Sequence, residues 1–319
     1  MMTAAEIRLK QNPVLSTLLL GMGQGMFAAE MLFPRLPQAL RGVTLAQAGN
    51  ERLKRYNLRR APGSMTKRVD ISYAGKTYTV SQNSVDIPIP RELLQEADES
   101  RRLNVGNYLD ISRIAMTTAS DILALDYELE VAGLATTVGT YAGGHVQALA
   151  GATKWSASTG TPVTDIRAAS DVVRKKIGKR PNTLHLSPDA WTAAAMNAEV
   201  KSYLPRDVTG PATIDQLKAI FKVANIVTAD AVWQDAAGVG ADVWGNNAIL
   251  AYVPTIGGNN SSISLAEPAF GFTNVLDGHP YAEAPYYDND SKSWIYGATY
   301  ERQPNVGYNT AAFLFQNPK

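Results

Sequence analysis

Over the first ninety positions the apolar residues come in short bursts, broken by Pro13, Pro34, Pro37, Pro62, Pro88 and Pro90, with no helical or strand period sustained. A segment patterned this way builds little core of its own and reads as an extended arm that needs a partner surface. Within it Val69, Ile71 and Tyr73 alternate with polar residues, and Tyr78 and Val80 resume the alternation after Ala74-Gly75-Lys76, which predicts a hairpin. A second turn is available at Ala61-Pro62-Gly63-Ser64, so the tip has two candidate positions.

From about Leu103 to Thr137 the pattern changes. Ile111, Ile114, Thr118, Ile122, Leu125, Leu129 and Ala132 recur every three or four positions, predicting one long amphipathic helix. Some thirty residues would span about 45–50 Å, a spine longer than the usual globular helix. Asp110, Arg113, Asp121, Glu128 and Glu130 are assigned to its opposite, polar face.

Gly139 to Gly160 reads as a connector rich in Gly, Ala, Ser and Thr, and beyond it helices and strands alternate. A helix over Val163–Ile177 should stop at Gly178, with Pro181 forbidding its continuation. A strand over Thr183–Leu186 leads into Ser187-Pro188, an N-cap followed by proline at the first helical position, and so into a helix through about Tyr203. Thr213 and Gln216 have capping-box spacing ahead of a third helix. Strands are expected at Ile226–Ala229, Ala241–Trp244 and Ile249–Val253. After about Ser261 come strand-like segments rich in aromatics, with a turn at Asp288-Asn289-Asp290, and these are expected to pack on the spine.

Composition narrows the function more than the fold. The 319 residues are 45% hydrophobic and 18% charged, with a net charge of +1 and no cysteine. That is enough chain for one large or two modest domains, and it excludes disulfide frameworks, thiolate metal sites and cysteine nucleophiles. Arg8 and Lys10 precede the apolar stretch Val14–Leu20, but Pro13, Gly21, Gly23 and Gly25 break the signal-peptide pattern. No run approaches a membrane span. The expectation is a soluble intracellular chain without membrane partners. Local charge is another matter: Arg52, Lys54, Arg55, Arg59, Arg60, Lys67 and Arg68 face only Glu51 between positions 51 and 68.

Candidate chemistry is thin. Gly21, Gly23 and Gly25 form GxGxG, with Met26 where the dinucleotide fingerprint has its third glycine and without a strand-turn-helix context. His145, His185 and His279 are scattered and lack ligand spacing. Asp288 and Asp290 open like a calcium loop, but Ser293 and Thr299 occupy its glycine and glutamate positions. No catalytic, cofactor-binding or metal-binding residue is nominated, and the chain reads as a self-assembling structural subunit rather than an enzyme.

Several strings, in order, carry a resemblance: Asn12-Pro13-Val14-Leu15, Leu32-Phe33-Pro34-Arg35, Tyr56-Asn57-Leu58-Arg59-Arg60-Ala61-Pro62-Gly63, Pro90-Arg91-Glu92-Leu93, Arg180-Pro181-Asn182-Thr183 and Val243-Trp244-Gly245. Together they make the chain resemble, along essentially its whole length, a tailed-bacteriophage major capsid protein of the Hong Kong 97 fold. The resemblance implies an α+β fold with an N-terminal arm (1–50), an extended hairpin loop (51–89), a peripheral domain holding the spine helix and C-terminal strands (90–160 and 255–319), and an inserted axial α/β domain (161–254).

It also implies hexamers and pentamers closing into an icosahedral virion shell around double-stranded DNA held by non-specific contact. Assembly would occur in the cytoplasm of a bacterial host, with a portal and decoration proteins as possible companions. Some members begin with a scaffolding region that a protease removes; this chain reaches its arm by Asn12, so a separate scaffold or none is expected. Others crosslink through a loop lysine and an asparagine, but no motif selects Lys67 or Lys76.

One assembly contact is expected from the residues themselves. The basic loop, through Arg52, Lys54, Arg55, Arg59, Arg60, Lys67 and Arg68, would lie across Glu92, Glu96, Asp98 and Glu99 of another copy. Exposed ion pairs are individually weak, so many must act together. Two alternatives stay open: an encapsulin-like compartment with the same fold, and a soluble enzyme with an unrecognised site.

Overall fold

The computed structural model describes residues 27–48, 50–70, 73–102, 110–205, 210–254 and 267–319. The GxGxG segment and the Asn12–Leu15 string lie outside them. A four-residue helix α1 (Ala29–Leu32) leads into strand β1 (Arg35–Gln38), then β2 (Gly42–Ala48), β3 (Tyr73–Thr79) and β4 (Ser81–Pro90). Helices α2 (Arg91–Arg102) and α3 (Ile111–Thr136) follow, then strand β5 (Val146–Ala148). The next stretch holds α4 (Pro162–Ile177), β6 (Thr183–Leu186), α5 (Pro188–Met196), α6 (Ala198–Ser202), α7 (Ile214–Phe221), β7 (Asn225–Thr228), β8 (Val232–Gln234), β9 (Gly240–Asp242) and β10 (Asn247–Ala251). The chain ends with β11 (Gly271–Leu276), β12 (Tyr281–Ala282), β13 (Tyr286–Asp288), β14 (Ser293–Val306) and β15 (Ala312–Gln316).

Two sheets organise these elements. In one, β14 runs antiparallel to β4 over ten residue pairs, from Ser293 against Pro90 to Arg302 against Ser81, and also pairs with β11, β12 and β13. The arm strand β1 adds in parallel to β11. The spine α3 packs on this sheet, burying Ala115, Met116, Ala119 and Leu123 against Val275, Tyr296, Ala298 and Tyr300. The second sheet has the order β5-β15-β10-β6-β7, with α4, α5 and α7 against it.

Local signals produced local structure in the α/β region. Gly178 ends α4 at φ +76, in the left-handed region where glycine is free of a Cβ penalty. The Ser187 side chain caps α5 with Pro188 at its first position, and Thr213 and Gln216 close a reciprocal capping box on α7. The helix expected through Tyr203 is instead broken at Asn197. Its amide spends both donors on the carbonyls of Trp155 and Gly160, at 2.7 and 3.1 Å, while its oxygen caps α6.

Other expectations need correction. The C-terminal strands do not all belong with the spine: β15, placed within 255–319, sits between β5 and β10 of the second sheet, and β5 was placed within 90–160. Ala312, Phe313, Leu314 and Phe315 are all buried, and a strand apolar on both faces needs cover on both. The hairpin does not turn at Ala74-Gly75-Lys76. Gly75 lies within β3 opposite Ala46, so the paired strands are 42–48 and 73–79, and 81–90 joins β14 rather than the loop.

The spine begins at Ile111, and its buried face is rotated by about one position from the expected stripe, taking in Ala115, Met116, Ala119, Ser120, Leu123, Tyr127, Glu128, Val131, Ala132 and Ala135. Small residues let the helix backbone approach the sheet, while Ile114, Ile122 and Leu129 stay exposed. Nor is the first third without a core: Ala28, Ala29, Leu32 and Phe33 are fully buried.

Candidate assembly interface

The long loop is a ribbon whose base is tied down and whose tip is not. Antiparallel pairing of β2 with β3 carries a Thr44–Thr77 hydroxyl contact at 3.0 Å. At the base the Val80 N–H donates to the Arg41 carbonyl, and the Arg41 guanidinium holds Glu301 of β14 with bonds of 2.8 and 2.6 Å. Tyr78 is buried edge-on against Phe272, ring centroids 5.2 Å apart. Past the strands, Leu53 lies on the α4 cap, where a Cβ on Gly178 would come within 2.8 Å of its Cδ2.

Beyond Leu53 regular structure ends. The tip turns at the alternative position, with the Ser64 N–H and hydroxyl both donating to the Ala61 carbonyl and Gly63 at φ +81. Nearly every residue from Lys54 to Asp70 is exposed, including Leu58 at 73% and Met65 at 85%. Lys54 approaches Glu51 at 3.8 Å, the Arg59 N–H donates to the Asn57 side chain, and Arg60 reaches Thr66. Among the described residues no carboxylate pairs with Arg55, Arg59, Arg60, Lys67 or Arg68; only the backbone of Arg52 is described. The ribbon thus presents cations and apolar side chains, Leu58 and Met65 most fully, to solvent, a surface that none of the described residues covers.

The expected acidic counterpart lies on α2. Two of its carboxylates are engaged locally, Glu92 with Arg91 at 3.0 Å and Glu99 with Arg102 at 2.6 Å. The Arg91 bond and the backbone hold Glu92 below the usual carboxylate range, its own backbone N–H being the larger cause. Glu96 and Asp98 have no such pairing among the described residues. Asp98 borders a groove of about 720 Å³ with Leu94, Ser112, Tyr287, Trp294 and Tyr296. The structure brings the basic residues together on one ribbon and the acidic ones on one helix, but among the described residues nothing joins the two sets.

Residues of the anchoring framework escaped the sequence pattern. Glu128, expected on the polar face of the spine, is fully buried and accepts the Ala28 and Ala29 N–H groups at 2.8 and 2.9 Å and the Trp244 indole N–H at 2.5 Å. Burial raises its pKa, opposed by those three bonds. Arg302, also fully buried, reaches Asp126 at 2.7 Å and Glu130 at 3.2 Å and lies 5.1 and 5.0 Å from the rings of Tyr127 and Tyr300. Phe33 fills the space a side chain on Gly271 would need, its ring 2.3 Å from where a Cβ would stand. No spacing rule in the sequence selects these partners. In the sequence Leu32-Phe33-Pro34-Arg35 serves only as a string of family resemblance, with no anchoring role assigned to it.

The histidines sit in separate places. His145 and His185 are buried, burial pushes the His185 pKa down to about 3, and His279 accepts the Glu301 N–H. Among the described residues no group of three or more His, Asp or Glu side chains could hold a metal ion, and no helix is long and apolar enough to cross a membrane.

No protein-family model matches the chain. The major capsid protein of Burkholderia phage BcepMu is 28% identical to it over 277 residues, 87% of each chain. The solved structure of a phage-related protein from Bordetella bronchiseptica is similar over 97% of both chains, with 32% identity and a TM-score of 0.75. The capsid structure of cyanophage P-SCSP1u shares the fold at 13% identity and a TM-score of 0.57, over 93% of this chain and 89% of its own. A spine helix on a long β ladder, an α/β sheet beside it and a projecting ribbon, together with these likenesses, place the chain in the family of tailed-bacteriophage major capsid proteins with the Hong Kong 97 fold.

Proposed function

We propose that the chain is the repeating subunit of an icosahedral virion shell that encloses double-stranded phage DNA, and that it works by shape and adhesion rather than catalysis. The observation that carries the reading is the ribbon from 42 to 79, tied at its base by Arg41–Glu301 and exposed along its tip. An isolated two-stranded ribbon is marginal in water, so a surface on a neighbouring copy supplies what it lacks. Lys54, Arg55, Arg59, Arg60, Lys67 and Arg68 would lie across Glu96 and Asp98 of that copy, with Glu92 and Glu99 exchanging their local partners. Leu58 and Met65 would add apolar contact. Exposed pairs are screened by salt, so the apolar contacts and the number of copies provide most of the cohesion. A portal, a scaffold and decoration proteins are the partners such a shell calls for, and the host cytoplasm is where it would assemble.

Negative-stain microscopy of the purified chain tests the reading, with closed shells of uniform diameter expected. A chain that stays monomeric at every concentration and salt condition sinks it. Native particles containing a cargo protein instead of DNA would move the assignment to an encapsulin-like compartment. The Arg59→Glu/Arg60→Glu variant should fold as the wild type does yet assemble poorly, and normal particles from it would remove the basic ribbon from the mechanism.

A further inference from the structure

Charge is unevenly distributed along the chain from the α/β region onward. Lys222 is the last cation before Lys292, and between them stand Asp230, Asp235, Asp242, Glu267, Asp277, Glu283, Asp288 and Asp290. Upstream, the last turn of α4 and the residues after it carry Arg174, Lys175, Lys176, Lys179 and Arg180. Asp171 pairs with Arg174 and Arg180, and Glu267 with Lys179, whereas Lys175 and Lys176 are exposed with no carboxylate partner among the described residues. A helix C-terminus favours cations, which accounts for some of this cluster but not for its size.

The start of this acidic stretch carries a projection. Strands β8 and β9 form a two-stranded hairpin outside both main sheets, with every residue from Val232 to Asp242 exposed. Its attachment is short: the Val243 N–H donates to the Ala231 carbonyl at 3.0 Å. Large apolar side chains face solvent on it, Val232 at 55%, Trp233 at 37% and Val239 at 64%. Register places Asp242 directly across from Val232, so a carboxylate and an apolar side chain share one face. Asp235 is spent on the turn, accepting the N–H groups of Ala237 and Val239 at 2.9 Å, whereas the Asp230 and Asp242 carboxylates have no ion-pair or hydrogen-bond partner among the described residues. Three-residue strands with this much exposed apolar surface are not stable by themselves in water.

We infer that the β8–β9 hairpin docks on the basic C-terminal end of α4 in the next copy of the same chain, as a head-to-tail contact separate from the one made by the long ribbon. The chemistry is complementary on both counts. Asp230 and Asp242 face Lys175 and Lys176, and the lysine stems lie over Val232, which shares a face of the hairpin with Asp242. Two different patches on one chain that recognise each other make a heterologous contact, and such contacts close into rings when the rotation allows. The hairpin is therefore the contact that draws copies into a capsomer around its axis. This inference rests on the shell reading above.

The test is a charge swap in the full-length chain, followed by negative-stain microscopy and sedimentation. Asp230→Lys/Asp242→Lys and Lys175→Glu/Lys176→Glu should each lose rings and closed particles, with thermal unfolding of the subunit unchanged. Combining all four substitutions should restore assembly, because the pairing is rebuilt with reversed sign. A Val232→Ser variant should assemble only at higher protein concentration. Shells from both reversal variants at wild-type yield, or no rescue in the combined chain when its subunit folds normally, would overturn the hairpin contact and leave the shell reading standing. A wild-type chain that never assembles overturns both.

Discussion

The indole N–H of Trp244 donates to the carboxylate of Glu128 across 116 positions of chain, and the same carboxylate accepts the two backbone N–H groups that open α1. One side chain thereby fastens the arm and the α/β region to the spine. Glu128→Ala leaves three buried donors unsatisfied and should lower subunit stability by about 3 kcal/mol or more, read by urea unfolding. A loss within experimental error would show that water replaces the carboxylate.

The same residue predicts a pH dependence. Burial raises the Glu128 pKa above its ordinary 4.5, so the folded subunit binds a proton more readily than the unfolded chain. Its contribution to stability is then largest below about pH 4.5 and is lost as pH rises through the raised folded value. Subtracting the Glu128→Gln profile isolates this titration from those of other acids. The difference, wild type minus variant, should fall with rising pH in that window; a flat difference would mean the carboxylate is effectively solvated.

Arg302 has no exposed surface, but its partners Asp126 and Glu130 keep 50% and 38% of theirs. The acids can therefore regain water when the guanidinium is removed. Arg302→Ala should cost about 2 kcal/mol, mainly through lost packing and ring contacts with Tyr127 and Tyr300 rather than through stranded charge. Arg302→Lys should recover little of it, since an ammonium lacks the flat face; full recovery in thermal unfolding would favour the ion pairs instead.

Gly271→Ala forces the Phe33 ring from its place against Phe270, at 5.5 Å and edge-on, because no shift of a few tenths of an ångström relieves a 2.3 Å approach. A destabilisation of about 1–3 kcal/mol is expected, with faster proteolytic cleavage near Phe33. Adding Phe33→Leu should return part of the loss. Cleavage unchanged from wild type would show that the arm docks without this ring.

Arg41 is 69% exposed while the Glu301 side chain keeps only 4%, so Arg41→Ala strands a shielded carboxylate at the base of the ribbon. Amide hydrogen exchange should accelerate in 42–48 and 73–79 and stay unchanged in β10 and β15. Equal exchange in both regions would make the pair dispensable to the ribbon's posture.

Elements governed by neighbours in sequence are legible in the sequence itself. Gly178 as a left-handed stop, Ser187-Pro188 as a start, the Thr213–Gln216 box and the existence of a spine all follow from bonds made within a few residues, and the family followed from short strings in order. The exposed basic ribbon was legible as composition. What the residues could not decide is which face of an element meets which distant partner. Ile114, Ile122 and Leu129 fit a helical stripe better than Ala115 and Ala119 do, yet the sheet admits only the small side chains at close range.

Likewise β15 left the spine because both its faces needed cover, and Glu128 is buried because α1 and Trp244 bring donors from about a hundred positions away on either side. Local bonding and pattern were set by the sequence alone; helix phase, strand partners and buried charge were settled by packing in three dimensions, where long-range contact outweighs local preference.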